Sequence, residues 1–503
     1  MAREPVLSTL LDLLGHGDAG HPALVAPERP DLSYATLRAN VADLAAQLQA
    51  AGIGRGDRVA IAMGNGPEMV IAFLAAATAA TAAPLNPKYR ADEFAFYYED
   101  TRAKALVVLP GAQDEARAAM LPGMRLIEAA SNADGTLSFG IHHSPFATHH
   151  SAQPDDVAMI LHTSGTTSRP KRVPIRQRNL ATSAANIIET YQLGGADRAL
   201  CVMPLFHIHG IVASMLSTLA SGGTLICPPG FDALRFWGWV EQYRPTWYSA
   251  VPTMHQLLLA RAERNAEVIR NHPFRFIRSS SAPLPPVVME RLEATFAAPV
   301  LESYGMTEAS HQMASNPLPP AARKAGSVGV GVGVDVGIMD DAGTILPQGQ
   351  RGEVVVRGGN VVDGYENNPE ANATAFTGGW FRTGDQGYLD EDGYLTLTGR
   401  LKELINRGGE KISPLEIDDV LLRHAAVAEA LVFAVPHKAL GEDIHAAVVL
   451  RAAASEQELR EHCARSLADF KVPRQIHILD ALPRGATGKL QRINMAKTLG
   501  IAE

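Results

Sequence analysis

The sequence predicts an α/β protein in which a large N-terminal domain of parallel α/β sheets carries a β subdomain and is followed by a small α+β C-terminal domain. Three observations predict it. Helix-like and strand-like patterns alternate over segments of about 30 residues, the spacing of parallel strands joined by crossover helices. Glycine-rich, strand-like sequence over residues 326–399 then breaks that rhythm, with turn signals at Asp341-Ala342-Gly343 and Glu391-Asp392-Gly393, and reads as short antiparallel strands. Beyond Arg400-Leu401-Lys402 a helical segment, residues 414–424, precedes a strand-like one, residues 430–435. The expected domains are therefore residues 1–400 and 401–503.

The individual elements follow from spacing. Over residues 33–52, Leu37, Val41, Leu44 and Leu48 recur at helical intervals, and Gly56-Asp57 turns the chain into the apolar run 59–63, a candidate buried strand. Residues 70–85 are rich in alanine, but threonines interrupt them and they fall short of the roughly 18 consecutive apolar residues of a membrane span. Apolar runs at residues 157–161 and 274–278 read as further strands. His142, His143, His149 and His150 precede the first of these, with no Asp, Glu or Cys interleaved to complete a ligand set, so they read as a solvated polar connection.

Composition bounds the function. At 503 residues, 46% hydrophobic and 19% charged, the chain is of ordinary globular composition and long enough for several cores. A net charge of -8 gives no overall basic field for nucleic acid or an anionic membrane, so any nucleotide handled is a small molecule. Cys201, Cys227 and Cys463 lie too far apart for a CxxC motif and fit a reduced, cytoplasmic compartment. The N-terminus has an acid at Glu4 and no cleavage site after an apolar run, and the C-terminal Ile501-Ala502-Glu503 is no peroxisomal address. The sequence assigns no oligomeric state.

The strongest local signal is His162-Thr163-Ser164-Gly165-Thr166-Thr167-Ser168-Arg169-Pro170-Lys171, directly after an apolar strand. Hydroxyls, backbone N–H groups and two cations in one polar loop suit a pyrophosphate. The GxxxxGK[ST] spacing of a Walker A loop is absent, and Val173-Pro174-Ile175 does not open the helix that motif requires. The loop resembles the phosphate loop of the adenylate-forming superfamily of acyl-CoA synthetases, luciferases and peptide-synthetase adenylation domains. Further similar blocks follow in order: residues 204–210 (PLFHIHG), 304–308 (YGMTE), 380–385 (WFRTGD), 399–403 (GRLKE) and 483–489 (PRGATGK).

That resemblance implies roles. Thr163, Ser164, Gly165, Thr166, Thr167 and Lys171 would hold the ATP phosphates; Glu308 would hold Mg²⁺ while Thr307 bonds a phosphate oxygen. Asp385 would take both ribose hydroxyls, with Arg400 helping; Ser280, Ser281 and Ala282 would line the adenine, and Tyr304, before Gly305, would stack on it. Lys489 would stabilise charge at the α-phosphate in the first half-reaction. The C-terminal domain would rotate about Lys402, bringing Gly408-Gly409 to the pantetheine arm of coenzyme A in the second. His207 would sit near the substrate carboxylate. One position departs from the pattern: where the family usually has glycine after Lys171, this chain has Arg172, a bulky cation near the loop.

The implied activity is ATP-dependent formation of an acyl-adenylate, then of an acyl-CoA thioester. Within the superfamily the strings at residues 162–171, 278–283 (RSSSAP), 315–319 (SNPLP) and 405–414 (INRGGEKISP) most resemble oxalate:CoA ligases. A small dicarboxylate needs donors where a fatty acid needs an apolar tunnel, and His207, Arg278, Ser281 and His311, with Gln312, are the polar candidates. Trp247 and Tyr248 are bulky residues able to shorten the pocket. The alternatives are a ligase for another small, medium-chain or aromatic acid, a luciferase-like or carrier-loading enzyme, and a nucleotide-binding regulator without catalysis.

Overall fold

The computed structural model describes residues 8–141, 151–163, 170–484, 490 and 492–501, and its strands form four sheets. In the first, Arg125–Ser131, Ala103–Val108, Arg58–Ile61, Thr81–Pro84 and Val157–Thr163 run parallel in that spatial order. Antiparallel strands Leu137–Phe139 and Lys171–Arg176 close its two edges. In the second, Val300–Met306, Phe276–Ser279, Trp247–Ala250, Arg198–Leu200, Thr224–Ile226 and Pro22–Val25 are parallel neighbours. Its edges are again antiparallel, His311–Ser315 at one and Leu32–Ser33 at the other. The parallel interiors match the expectation; the antiparallel edges carry no sequence pattern of their own.

The helix Tyr34–Ala50 buries Leu37, Val41, Leu44 and Leu48, and its N-cap Ser33 accepts a hydrogen bond from the Thr36 N–H at 3.2 Å. The alanine-rich run is a helix, Pro67–Ala79, buried from Glu68 to Ala79, followed by the strand Thr81–Pro84. Alanine fits there because this helix sits inside one core that residues of both sheets share, and a larger side chain would overpack it at a cost of about 1–3 kcal/mol. Among the described residues no helix is long and apolar enough to cross a membrane.

The glycine-rich region folds as predicted into five antiparallel strands, Asp335–Met339, Gly352–Arg357, Phe376–Thr377, Trp380–Leu389 and Leu395–Arg400. Its turns close through Gly343 N–H to Asp340 O at 3.2 Å and Gly393 N–H to Asp390 O at 2.9 Å. Four residues separate the end of this sheet at Arg400 from the fourth sheet, whose first strand is Ile405–Arg407. Within that connection the Glu403 and Leu404 N–H groups both donate to Arg400 O, at 2.9 and 3.1 Å. The fourth sheet and the helices Pro414–Leu422 and Glu456–Ala464 enclose a separate core that includes Ile405, Ile417, Val432, Ile444 and Leu459. The four early histidines, residues 142–150, lie outside the described residues.

Candidate active site

Ligands of parallel α/β sheets bind beyond the carboxyl ends of the strands, and a polar cluster lies there on the second sheet. Arg278, at 0% exposure, is near the end of Phe276–Ser279. Its Nε donates to Tyr191 Oη at 2.9 Å, Nη1 to Ser249 Oγ at 3.0 Å and to His209 Nε2 at 3.3 Å, and Nη2 to His311 Nε2 at 3.1 Å and Gln312 Oε1 at 3.2 Å. Among the described residues no carboxylate forms an ion pair with it. A guanidinium only donates, so the Nε2 atoms of His209 and His311 carry lone pairs and their protons sit on Nδ1. His209 Nδ1 therefore donates to Ser281 Oγ, 3.0 Å away. The two imidazoles stack with centroids 5.0 Å apart, and His207 Nδ1 accepts from the His209 N–H at 3.3 Å.

The backbone around the cluster is held in uncommon conformations. Ser281, Ser310 and His311 have φ of 72°, 49° and 102°, the left-handed region non-glycine residues seldom adopt. His209 opens a π-helix, His209–Leu216, a rare wide turn that is frequently found at functional sites. Two glycines permit close approach: a Cβ on Gly210 would lie 2.3 Å from Pro204 O, and one on Gly305 would lie 1.9 Å from His311 O.

Glu308, 5% exposed, lies in the short 3₁₀ turn Thr307–Ala309 that joins Val300–Met306 to His311–Ser315. Its Oε1 accepts from Tyr365 Oη at 2.9 Å and lies 3.5 Å from Thr163 Oγ1, the first residue of the phosphate-type loop. Lys171, at the other end of that loop, places its ammonium 4.4 Å from the centroid of the Tyr365 ring. One carboxylate beside a phosphate loop fits Mg²⁺, which takes few protein ligands and shares phosphate oxygens.

Arg172, the bulky cation expected beside the loop, is paired. Its guanidinium is neutralised by two acids, Asp100 Oδ1 at 3.3 Å and Glu366 Oε2 at 3.1 Å, and its carbonyl accepts from the Glu366 N–H at 3.0 Å. Asp100 also holds His162 Nε2 at 2.9 Å, the residue that precedes Thr163.

At the edge of the β subdomain Asp385 is 6% exposed; Oδ1 accepts from Arg400 Nε at 2.9 Å and Oδ2 from the Tyr304 hydroxyl. Burial first, and the Asp385 charge next, push the Tyr304 phenol up. Ser280 is fully buried and its Oγ donates to Ser303 O at 2.9 Å, while Ser281 and Ala282 are half-buried. Thus Tyr304 reaches the predicted ribose ligand through its hydroxyl, beside its predicted place next to the adenine.

His207, Arg278, Ser281 and His311 are brought into one network. The sequence reading did not place His209 in this network, nor Tyr191, Ser249 and Tyr365 in the site. The HxHG spacing was the available signal for His209. Trp247 and Tyr248 are packed in two cores instead of a pocket: Trp247 stacks on Phe276 at 5.1 Å, and Tyr248 packs against Phe236 at 5.1 Å with its hydroxyl 3.1 Å from His255 Nδ1. Gly408 and Gly409, with φ of 63° and 95°, form the tip of the hairpin Ile405–Arg407 to Glu410–Ile412, and Lys402 lies in the connecting turn. Ser164, Gly165, Thr166, Thr167 and Lys489 lie outside the described residues.

Comparison with known proteins matches residues 15–366 to the family described as AMP-binding enzyme and residues 416–489 to the AMP-binding enzyme C-terminal domain. An oxalate–CoA ligase of Arabidopsis thaliana is 46% identical, over 97% of this chain and 97% of that protein. An oxalate–CoA ligase of Saccharomyces cerevisiae is 43% identical, over 88% of this chain and 87% of its own length. Among solved structures, ATP-bound MatB from Rhodopseudomonas palustris superposes with a TM-score of 0.87 at 31% identity, covering 98% of each chain.

Proposed function

The chain belongs to the AMP-binding enzyme family and is an ATP-dependent, AMP-forming acid:CoA ligase using ATP, Mg²⁺ and coenzyme A, and we propose that the acid it activates is oxalate. The observation that carries the proposal is the fully buried guanidinium of Arg278, ringed by neutral groups. Burying a cation without a counterion is costly, and a charged group of the substrate is the natural compensation. A small acid with a second carboxylate supplies that charge; an aliphatic or aromatic tail would leave it unmet. The similarity to two oxalate–CoA ligases points the same way.

In this reading one oxalate carboxylate faces Arg278, His209 and His311, and the other attacks the α-phosphorus of ATP. A P–O bond forms to the acid, the bond to the bridging oxygen breaks, and pyrophosphate leaves. Thr163, Ser164, Gly165, Thr166, Thr167, Thr307 and Lys171 hold the phosphates, and Glu308 would hold Mg²⁺, which would supply neutralising charge to the phosphate oxygens. Asp385 and Arg400 hold the ribose; Ser280, Ser281, Ala282, Tyr304 and Gly305 border the adenine. Lys489 stabilises the pentavalent phosphorus. The domain of residues 401–503 then turns about Lys402 to set the Gly408-Gly409 hairpin against the thiol arm. The thiolate attacks the acyl carbon, AMP departs and oxalyl-CoA forms. The three reduced, buried cysteines support a cytoplasmic location.

The test is kcat/KM over oxalate, acetate, octanoate and coumarate, for the unmodified enzyme and Arg278→Ala. Oxalate is expected to lead, with acetate lower by roughly 10⁴ because the donors built for the second carboxylate stay unsatisfied. Arg278→Ala should cost oxalate about a hundredfold or more while the KM for ATP stays nearly constant. If octanoate or coumarate outruns oxalate, the dicarboxylate assignment fails and the ligase activity stands.

A further inference from the structure

Away from the network around Arg278, arginines from opposite sides of the Arg400–Ile405 connection converge on a cleft of about 150 Å³. One wall is the helix Pro286–Phe296, which contributes Val287, Val288 and Arg291. The other comes from the C-terminal segment, with Arg423 and His424 after the helix Pro414–Leu422 and Arg451 after the strand Gly441–Leu450. In a chain with a net charge of -8, three arginines, each exposed to solvent, line one small space. Among the described residues, no carboxylate pairs with Arg291, Arg423 or Arg451 within ion-pair distance.

The acids nearby are engaged elsewhere or act weakly. Glu458 sits 3.5 Å from His424, and Asp419 acts on Arg423 through its charge without touching it. Arg451 donates through both Nε and Nη2 to Val427 O, at 3.1 and 2.5 Å, which leaves Nη1 free of that carbonyl. Its pKa is lowered, first by burial and then by the charge of Arg291 across the cleft. Like charges held together without a counterion repel, and they persist where an anion binds between them.

We propose that this cleft is a binding site for a phosphate dianion, held by Arg291 from the N-terminal part and by Arg423 and Arg451 from the C-terminal part. Guanidinium forks match tetrahedral oxyanions with paired N–H donors, and three of them suit a doubly charged group better than a single carboxylate. Free inorganic phosphate and the phosphomonoester of coenzyme A share this chemistry. Because the two walls belong to different parts of the chain, the anion fastens them together. The site is independent of which acid the enzyme activates.

The experiment is calorimetric titration of the full-length enzyme with inorganic phosphate at constant ionic strength, the catalytic site being filled by a non-hydrolysable acyl-adenylate analogue. Phosphate is expected to bind under those conditions. Arg291→Ala and Arg451→Ala should each weaken binding by about tenfold or more, with Arg291→Lys retaining part of it. Adenylation, followed as pyrophosphate release in phosphate-free buffer without coenzyme A, should be the same in all of them, which shows that the variants fold. Competition identifies the source: displacement by coenzyme A but not by dephospho-CoA assigns the anion to the 3′-phosphate, and displacement by neither assigns it to free phosphate. Loss of phosphate binding once the analogue is bound, or an affinity in the Arg291→Ala and Arg451→Ala variants unchanged from that of the unmodified enzyme, overturns the proposal.

Discussion

Glu302 shows how much a single residue can be asked to report. It is 3% exposed in the strand Val300–Met306, and its Oε1 accepts from the Leu284 N–H at 2.7 Å, just past the segment assigned to the adenine. Burial, with a smaller contribution from the charge of Asp419, pushes its carboxyl up to about 8, against an ordinary value of 4.5. The folded form therefore prefers the protonated acid. Stability from this preference is fully present below the ordinary value and is lost as pH rises through 8. Glu302→Gln keeps an acceptor for Leu284 without the titration, so its melting temperature should fall less between pH 6 and 9 than that of the unmodified enzyme, by a few degrees. Parallel curves would rule out a titrating Glu302. Nothing in the string LESYG marks this glutamate as buried. Arg278 was legible because it ends an apolar run, but Tyr191 and Ser249, which fix its direction, come from distant segments joined only by tertiary packing.

At the level of elements, the hairpin of Val300–Met306 and His311–Ser315 positions Glu308, His311 and Gln312 together. Its closure depends on Gly305, where a side chain would meet the His311 carbonyl oxygen at 1.9 Å. Gly305→Ala is expected to lower stability by about 1–3 kcal/mol, since the strands must part to admit a methyl group. The oxalate kcat/KM should fall with it by at least about tenfold, because His311 moves with its strand. Unchanged denaturation and kinetics would mean that the close approach is not maintained in solution. The sequence showed this block as a motif and predicted the strand at residues 274–278, found as Phe276–Ser279. It could not show that His311–Ser315 turns back antiparallel, because a strand buried on both faces has no alternation to read.

For the whole molecule, the alternation of helix-like and strand-like segments was enough to expect parallel α/β sheets, a β subdomain and a separate C-terminal unit, though not how many sheets. Which sheet edges are antiparallel depends on pairing between segments far apart in the chain. The prediction at this scale concerns the hinge. Proline fixes φ near -65°, so Lys402→Pro should leave pyrophosphate release intact and stop transfer to coenzyme A; normal rates in both half-reactions would remove Lys402 as the pivot. Arg400, two residues earlier, carries a further consequence. Its guanidinium holds Asp385 at 2.9 Å while its carbonyl accepts the Glu403 and Leu404 N–H groups of the connecting turn. Occupancy at Asp385 and the geometry of the turn are thereby properties of one residue. By thermodynamic reciprocity, whatever factor separates the affinities of two domain orientations for the nucleotide is the factor by which the nucleotide shifts the balance between those orientations. On the proposed rotation, the release of AMP and the return of the C-terminal unit are coupled by that same factor.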